Sequence, residues 1–336
     1  MGAFPTLTAR DLVEERADLH QWLTDPGEHG GARAWALDAS PQEALMERRS
    51  ARRWATSLYA ADLTFVDKSL VRTALAAGDA FDDYSLEVYD VPSPHGLIAF
   101  EEPVTAPISG GNHVSGMPVT AASWAVHGGM VEIRWWTDKK SWIEDYCGNK
   151  IRPDEKRKLL MMHPPKLAAV GSSALLFGTQ DHWPIPRMAA AAAKKADPSV
   201  REQVIAEYRL AEQRLVEAEK TLIAAWLLMG QTLTVETRVQ APRASVARVG
   251  RIDPALLGTV RQVTLRHKNI APDQRGQVEG PKREWAHRWC VKGHWRKRRK
   301  DARPDTPSRI WVTPHIKGPD GAPILDPSKL VNILRR

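Results

Sequence analysis

Residues 118–136 read PVTAASWAVHGGMVEIRWW, and the pattern of this stretch predicts two paired strands. Two apolar segments, 118–126 and 130–136, flank Gly128-Gly129. Two glycines between strand-like segments are typical of a tight hairpin, because both central residues of the favoured turn need a positive φ. We therefore expect antiparallel strands near the middle of the chain.

Capping residues and apolar periodicity predict the elements around this hairpin. Helices are expected at 8–24, 41–63 and 153–162. Strands are expected at 84–91, 96–100 and 173–177. Helices and strands are thus mixed over residues 1–195, which predicts an α+β N-terminal domain.

Residues 197–230 predict one long connecting helix, because apolar side chains recur at spacings of three and four. The repeating positions are Val204, Tyr208, Ala211, Leu215, Ala218, Leu222, Ala225 and Met229. Two interpretations stay open at this point. The seam packs on the N-terminal domain, or it forms a homodimer through Val204, Tyr208, Ala211, Leu215, Ala218 and Leu222.

Beyond Gly230 the pattern changes to strand-like segments at 232–239, 259–267, 285–296 and 309–317. Four such segments predict a basic, antiparallel β-sheet domain over residues 231–336. The expected fold class is α+β: a mixed N-terminal domain, the long heptad-patterned helix and this C-terminal sheet.

Positive charge is segregated along the chain. Residues 241–336 contain 22 basic and 8 acidic residues, a net charge of +14, so that residues 1–240 carry −6 of the total of +8. A basic segment attached to an acidic body indicates an anionic partner.

The basic segment peaks at residues 282–300, KREWAHRWCVKGHWRKRRK, where nine Lys/Arg and three Trp accompany a single acid. Cations interleaved with flat rings favour nucleic acid, either DNA or RNA, as the partner. The alternation of a strand would turn Trp289 and Val291 toward the core and the cations toward solvent. The expected phosphate contacts are Arg288, Lys292, His294, Arg296 and Arg298, and Trp295 and Trp311 are expected to stack on bases or to shape the surface.

Alternatives from other classes remain. The basic face can simply keep the protein in solution. His294 and His315 are candidate catalytic groups of a metal-independent ribonuclease, with Arg296 stabilising the charged transition state. Trp and Arg residues also anchor protein partners, which would make the region an interaction module. His267, His287, Cys290, His294 and His315 lack a standard zinc spacing, so we expect neither a metal nor a cofactor.

Length and composition favour about two globular domains. The N-terminus lacks the apolar core of a signal peptide, and Cys147 and Cys290 could form at most one disulfide. The expected location is therefore the cytoplasm, without a membrane partner.

Three segments carry a family resemblance: WCVKGHWR at 289–296, RIWVTPHIKGPDG at 309–321 and PSPHGLIAFEEP at 92–103. Together they resemble a group of uncharacterised proteins encoded by actinobacteria, their plasmids and their phages. The resemblance implies a phage or mobile-element context. It brings no established activity and no site residue to this chain.

Overall fold

A seven-stranded mixed β-sheet forms the centre of the computed structural model. The structure describes residues 7–25, 41–81, 84–105, 118–143, 152, 154, 157, 166–179, 199, 201–266, 287–297, 309–319 and 322–324. The strands of the central sheet are β1 (Asp62–Val66), β2 (His95–Phe100), β3 (Ala121–His127), β4 (Met130–Asp138), β5 (Leu167–Leu176), β6 (Thr234–Val239) and β7 (Val260–Leu265). Their spatial order is β5-β4-β3-β2-β1-β7-β6. β1 runs parallel to both β2 and β7, and the other neighbours are antiparallel.

The hairpin predicted at 118–136 is confirmed as β3 and β4. His127 pairs with Met130, so that only Gly128 and Gly129 form the turn. Their φ angles are 55° and 78°, a region that glycine enters without steric cost. The hairpin supplies Trp124 and Trp135 to one face of the sheet and Trp136 to the other, and all three are fully buried.

Helices cover both faces of the sheet and create two hydrophobic cores. The helices are α1 (Leu12–Thr24), α2 (Pro41–Tyr59), α3 (Lys68–Asp79), α4 (Lys139–Trp142), α5 (Arg201–Met229) and α6 (Arg243–Ile252). Side chains of α3 and α5 pack on one face, and side chains of α1, α2 and α6 pack on the other. Within the part of the chain that the structure describes, no helix combines the length and apolar character needed to cross a bilayer.

The α+β class is confirmed, but several elements differ from the sequence prediction. The helix predicted over 41–63 ends at Tyr59, because Asp62–Val66 forms β1 at the centre of the sheet. The strand predicted at 84–91 is wrong: Val88–Asp90 forms a 3-10 turn that Glu87 and Asp90 cap reciprocally. The strand predicted at 173–177 is the end of the longer β5. The helix predicted at 153–162 lies almost wholly outside the described residues.

α5 lies along α3 and contributes its C-terminal half to the core of the monomer. Ala218 and Leu222 are both fully buried there. The homodimer interpretation is therefore not supported for these two residues, because the protein's own sheet and α3 already cover both side chains. Leu215 is partly buried against the same core. The side chains of Val204, Tyr208 and Ala211 lie outside the described residues.

The prediction that all four C-terminal segments form one small antiparallel sheet is wrong. β6 and β7 extend the central sheet, with β7 parallel to β1. Val260 and Val263 of β7 are fully buried, one in each hydrophobic core. The predicted domain boundary at residue 231 therefore does not separate the two strands after it from the N-terminal sheet.

Candidate nucleic-acid interface

The remaining C-terminal segments form a β-hairpin arm. Its strands are β8 (Trp289–Val291), β9 (His294–Lys297), β10 (Arg309–Val312) and β11 (His315–Lys317). β9 pairs with β10 and β8 pairs with β11, both antiparallel. Val291 lies opposite His315 and His294 opposite Val312, so one register runs through both pairs. We call residues 289–297 and 309–317 together the C-terminal arm.

The ladder of the arm is interrupted at its middle, between Val291 and His294. Pro314, on the opposite strand, has no N–H to donate to a ladder bond. Gly293 faces the ring of Trp311, and a Cβ atom built on Gly293 would lie 2.3 Å from Trp311 Cζ2. The interruption thus makes room for the indole, which needs a neighbour without a side chain.

Two tryptophans attach the inner side of the arm to the body. Trp311 is 5% exposed and belongs to the core beneath α3 and α5. Trp295 lies nearly parallel to Phe81, with ring centroids 4.9 Å apart at 8°. Its Nε1 donates a hydrogen bond of 2.7 Å to the carbonyl oxygen of Ala77, near the end of α3. These contacts fix which side of the arm faces the body.

Residues of strand β10 hold the arm to the body at two further points. The backbone N–H of Trp311 donates to Gln231 Oε1 at 3.1 Å, and Gln231 Nε2 lies 3.4 Å from the carbonyl oxygen of Arg309. The Arg309 guanidinium lies over the ring of Tyr84, 5.1 Å from its centroid. Arg309 is therefore engaged with the body.

The outer side of the arm is basic and open to solvent. Lys292, His294 and Arg296 on this side are exposed. Lys297 and Lys317 are exposed as well, although alternation puts Lys297 on the side of Trp295 and Lys317 on the side of Trp289. The sequence contains no Asp or Glu at 287–297 or at 309–319. Among the ion pairs of the described residues, none involves these four lysine and arginine side chains. Their charge is available to a partner molecule.

The predicted contact residues divide into three groups. Lys292, His294 and Arg296 lie on the exposed side of the arm. Arg288 instead has a structural role, since its Nε donates to the carbonyl oxygen of Ala322 at 2.8 Å. Arg298 lies outside the described residues.

The predicted role of the two tryptophans in stacking on bases does not fit their positions. Trp311 is buried, Phe81 stacks on one face of Trp295, and the ring centroid of Trp311 lies 5.2 Å from that of Trp295. The other predicted role, shaping the surface, fits them, because they fix the orientation of the arm.

His294 and His315 do not form an acid–base pair. His294 lies opposite Val312, whereas His315 lies opposite Val291, so the two histidines are three positions apart along the ladder. At ~3.3 Å per residue this separation is about 10 Å along the strands. Each Nδ1 lies near a backbone carbonyl oxygen two residues earlier, that of Lys292 at 3.1 Å and that of Thr313 at 2.9 Å. General acid–base catalysis needs both groups at one reacting bond.

Within the described part of the chain, no group of three or more His, Cys, Asp or Glu side chains could hold a metal ion. His267 and the side chain of Cys290, two members of the set considered from the sequence, lie outside that part.

The structure also reveals a buried charged cluster that the sequence pattern did not indicate. The carboxyl group of Glu15 in α1 is 2% exposed and accepts a 2.9 Å hydrogen bond from the backbone N–H of Leu167. Burial, reinforced by the negative charge of Asp18, raises the pKa of Glu15 to about 8. Burial also raises the pKa of Asp18 and lowers that of Lys139. The raised pKa favours the protonated form of Glu15 in the folded protein at pH 7.

Ion pairs around this cluster join α1 to its neighbours. Arg248 of α6 donates to Glu14 at 2.8 Å and to Asp18 at 2.5 Å. Lys166, next to β5, pairs with Asp11 at 2.5 Å. The cluster thus positions α1 against the sheet. Charged residues share the buried side of α1 with apolar residues, so the apolar periodicity of this helix is weak. The sequence pattern therefore did not show that these charged residues are buried.

A polar cleft of about 200 Å³ lies between α2 and the β4–β5 edge of the sheet. Glu132 in this cleft pairs with Arg53 at 3.0 Å and lies 3.3 Å from His127 Nε2. The Arg134 guanidinium lies 5.2 Å from the ring centroid of Trp54. Glu132 and Arg53 in the cleft already neutralise each other, unlike the cations on the outer side of the arm.

No protein-family model matches this chain, and neither a curated protein nor a solved structure matches it. Its function is therefore inferred from the charge and geometry of the arm.

Proposed function

We propose that this protein binds nucleic acid through the exposed cations of the C-terminal arm. One observation carries the proposal: Lys292, Arg296, Lys297 and Lys317 are exposed on a hairpin whose strands contain no acidic residue. Packing of Trp295 and Trp311 holds this hairpin in one orientation. A basic surface whose cations pair with no acidic group among the described residues suits a polyanion with closely spaced charges.

Counterion release supplies the driving force for this interaction. Each phosphate that a cation neutralises frees condensed counterions, and this favours binding most strongly at low salt. Three further basic residues, Arg298, Arg299 and Lys300, follow β9 directly in the sequence. They add three positive charges to the sequence next to the arm.

The alternative functions receive less support. The ribonuclease hypothesis needs His294 and His315 at one bond, and their register positions separate them. The protein-interaction hypothesis needs exposed aromatic anchors, whereas Trp311 is buried and Trp295 stacks on Phe81. The phage or mobile-element context stays a prediction from the family resemblance.

A charge-removal variant tests the proposal. We would replace Lys292, Arg296 and Lys297 by Gln and measure binding to labelled nucleic acid by fluorescence anisotropy. The matched control removes three exposed arginines from α2 and α6, Arg49→Gln, Arg52→Gln and Arg251→Gln. Both variants lose the same net charge, and only one changes the arm.

The arm variant should bind more weakly by about 10²–10³-fold at ~0.1 M salt. This loss is expected because the variant lacks three contacts with phosphate, each of which releases ~0.9 counterions. The control should retain nearly all of the wild-type affinity. Equal losses in the two variants would indicate a general charge effect. That result, or no binding by the wild-type protein, would refute the proposal.

A further inference from the structure

We infer that the nucleic acid is duplex DNA in the B form, with the arm lying in the major groove. This inference rests on the proposed function and adds the identity of the partner. Two observations carry it: the side chains available on the outer side of the arm, and the two-stranded shape of the arm itself.

The outer side of the arm lacks a stacking surface among its described residues. Proteins that bind single strands place bases on aromatic rings, each worth about 1–3 kcal/mol per base. Trp295 and Trp311 are packed inward, and Trp289 is half-buried with the imidazole of His287 6.2 Å away. The side chains that share the side of His294 and Arg296 are their cross-strand partners, Val312 and Ile310.

A side of this composition suits the edges of paired bases. Lys and Arg donate to guanine O6 and N7 in the major groove, and aliphatic groups contact the thymine methyl group. Lys292 and Arg296 supply the donors, and Ile310 and Val312 supply the aliphatic groups. In the groove the charges of Lys292 and Arg296 also lie close to the phosphates, so these two side chains still displace counterions. A single strand presents these edges only on bases that are not held in register, and the described residues on this side offer no ring on which such bases could stack.

The shape of the arm distinguishes DNA from RNA. The arm is a two-stranded ribbon, and strands pair about 4.8 Å apart. The major groove of B-DNA is about 12 Å wide and admits a two-stranded ribbon. The major groove of an A-form RNA helix is deep and narrow and does not admit one. A ribbon with one side held to the body and the other carrying cations has the arrangement that groove insertion requires.

The expected preference can be estimated from charge alone. The logarithm of the association constant falls with the logarithm of salt concentration. Each phosphate contact contributes about 0.9 to the steepness of this slope on duplex DNA and about 0.7 on a single strand. For the four exposed lysine and arginine side chains this difference amounts to roughly a sixfold tighter duplex complex at ~0.1 M salt. Contacts in the groove should increase the ratio further.

The experiment compares three probes at equal salt: a mixed-sequence DNA duplex, one of its single strands and an RNA duplex of the same sequence. A second duplex carries N7-methylguanine, which blocks an acceptor in the major groove. The full-length protein should bind the unmodified DNA duplex most tightly, by about sixfold or more over the single strand. Methylation should weaken duplex binding.

The outcomes separate the inference from the proposed function. If a single strand or the RNA duplex binds as tightly as duplex DNA, and the arm variant loses that binding, the arm binds nucleic acid but the inference is wrong. If N7 methylation leaves the affinity unchanged, the placement in the major groove is wrong. If none of the probes binds, both the inference and the proposed function are wrong.

Discussion

Replacing Glu15 by Gln should stabilise the protein, although Glu15 is a buried residue with a native hydrogen bond. The Glu15 carboxyl accepts its bond from the N–H of Leu167 through Oε1, and Gln offers an amide oxygen of similar geometry. The substitution therefore keeps the contact. It removes the need to protonate a carboxyl group on folding.

The magnitude follows from the pKa of Glu15, which rises from 4.5 in the unfolded chain to about 8 in the folded protein. Because the folded pKa is the higher one, the contribution of Glu15 is fully favourable below pH 4.5 and is lost as the pH rises toward 8. At pH 7 the unfolded chain has released this proton and the folded chain has not. The lost stability at pH 7 is roughly 3 kcal/mol, from about 1.4 kcal/mol per pH unit.

The assay is urea unfolding followed by circular dichroism at intervals between pH 4.5 and pH 8. Glu15→Gln should match the wild-type protein at the acid end and exceed it by roughly 3 kcal/mol at pH 7. The control, Glu14→Gln, removes a half-exposed carboxylate that pairs with Arg248 and should reduce stability by about 0–1 kcal/mol. If Glu15→Gln is destabilised at pH 7, Glu15 is ionised in the folded state and the reasoning is wrong.

Three further predictions concern the arm. Trp311→Ala should lower the free energy of unfolding by about 3–5 kcal/mol in urea titrations, because the ring is buried. The control Lys317→Ala, at an exposed residue, should change it by less than about 0.5 kcal/mol. Similar effects of the two substitutions would contradict the packing of the arm on the body. Gly293→Ala should lower it by about 1–3 kcal/mol, because the new methyl group would collide with Trp311, and a neutral result would show that the ring does not occupy this place. RNA incubated with the wild-type protein should stay intact on denaturing gels, since His294 and His315 are separated. Cleavage that disappears in both His294→Ala and His315→Ala would contradict this.

The sequence predicted the local elements of the fold better than their arrangement. Gly128-Gly129 between two apolar segments specifies a turn type, so the hairpin was predicted correctly. The helix predicted over 41–63 ran too far because Asp62–Val66 is a short, buried central strand that continues the apolar pattern of α2. A short apolar run does not distinguish a strand from the end of a helix.

Long-range pairing explains the error in the C-terminal region. The sequence identified 232–239 and 259–267 as strands, but nothing in their residues indicates that β7 pairs with β1, about 200 positions earlier. The same limit applies to the tryptophans of the arm. Alternation places Trp295 on the same side as Trp289 and Val291, but it does not identify the residues that Trp295 contacts, and only the structure shows that these are Phe81 and Ala77.

The slope of binding affinity against salt tests the central claim most directly. For the wild-type protein and a DNA duplex, the logarithm of the association constant should fall with the logarithm of salt concentration at a slope of about −4 or steeper, from four exposed cations. The variant lacking Lys292, Arg296 and Lys297 should show a slope shallower by roughly 3. Identical slopes for the two proteins would show that these cations do not neutralise the charge of the DNA and would contradict the account.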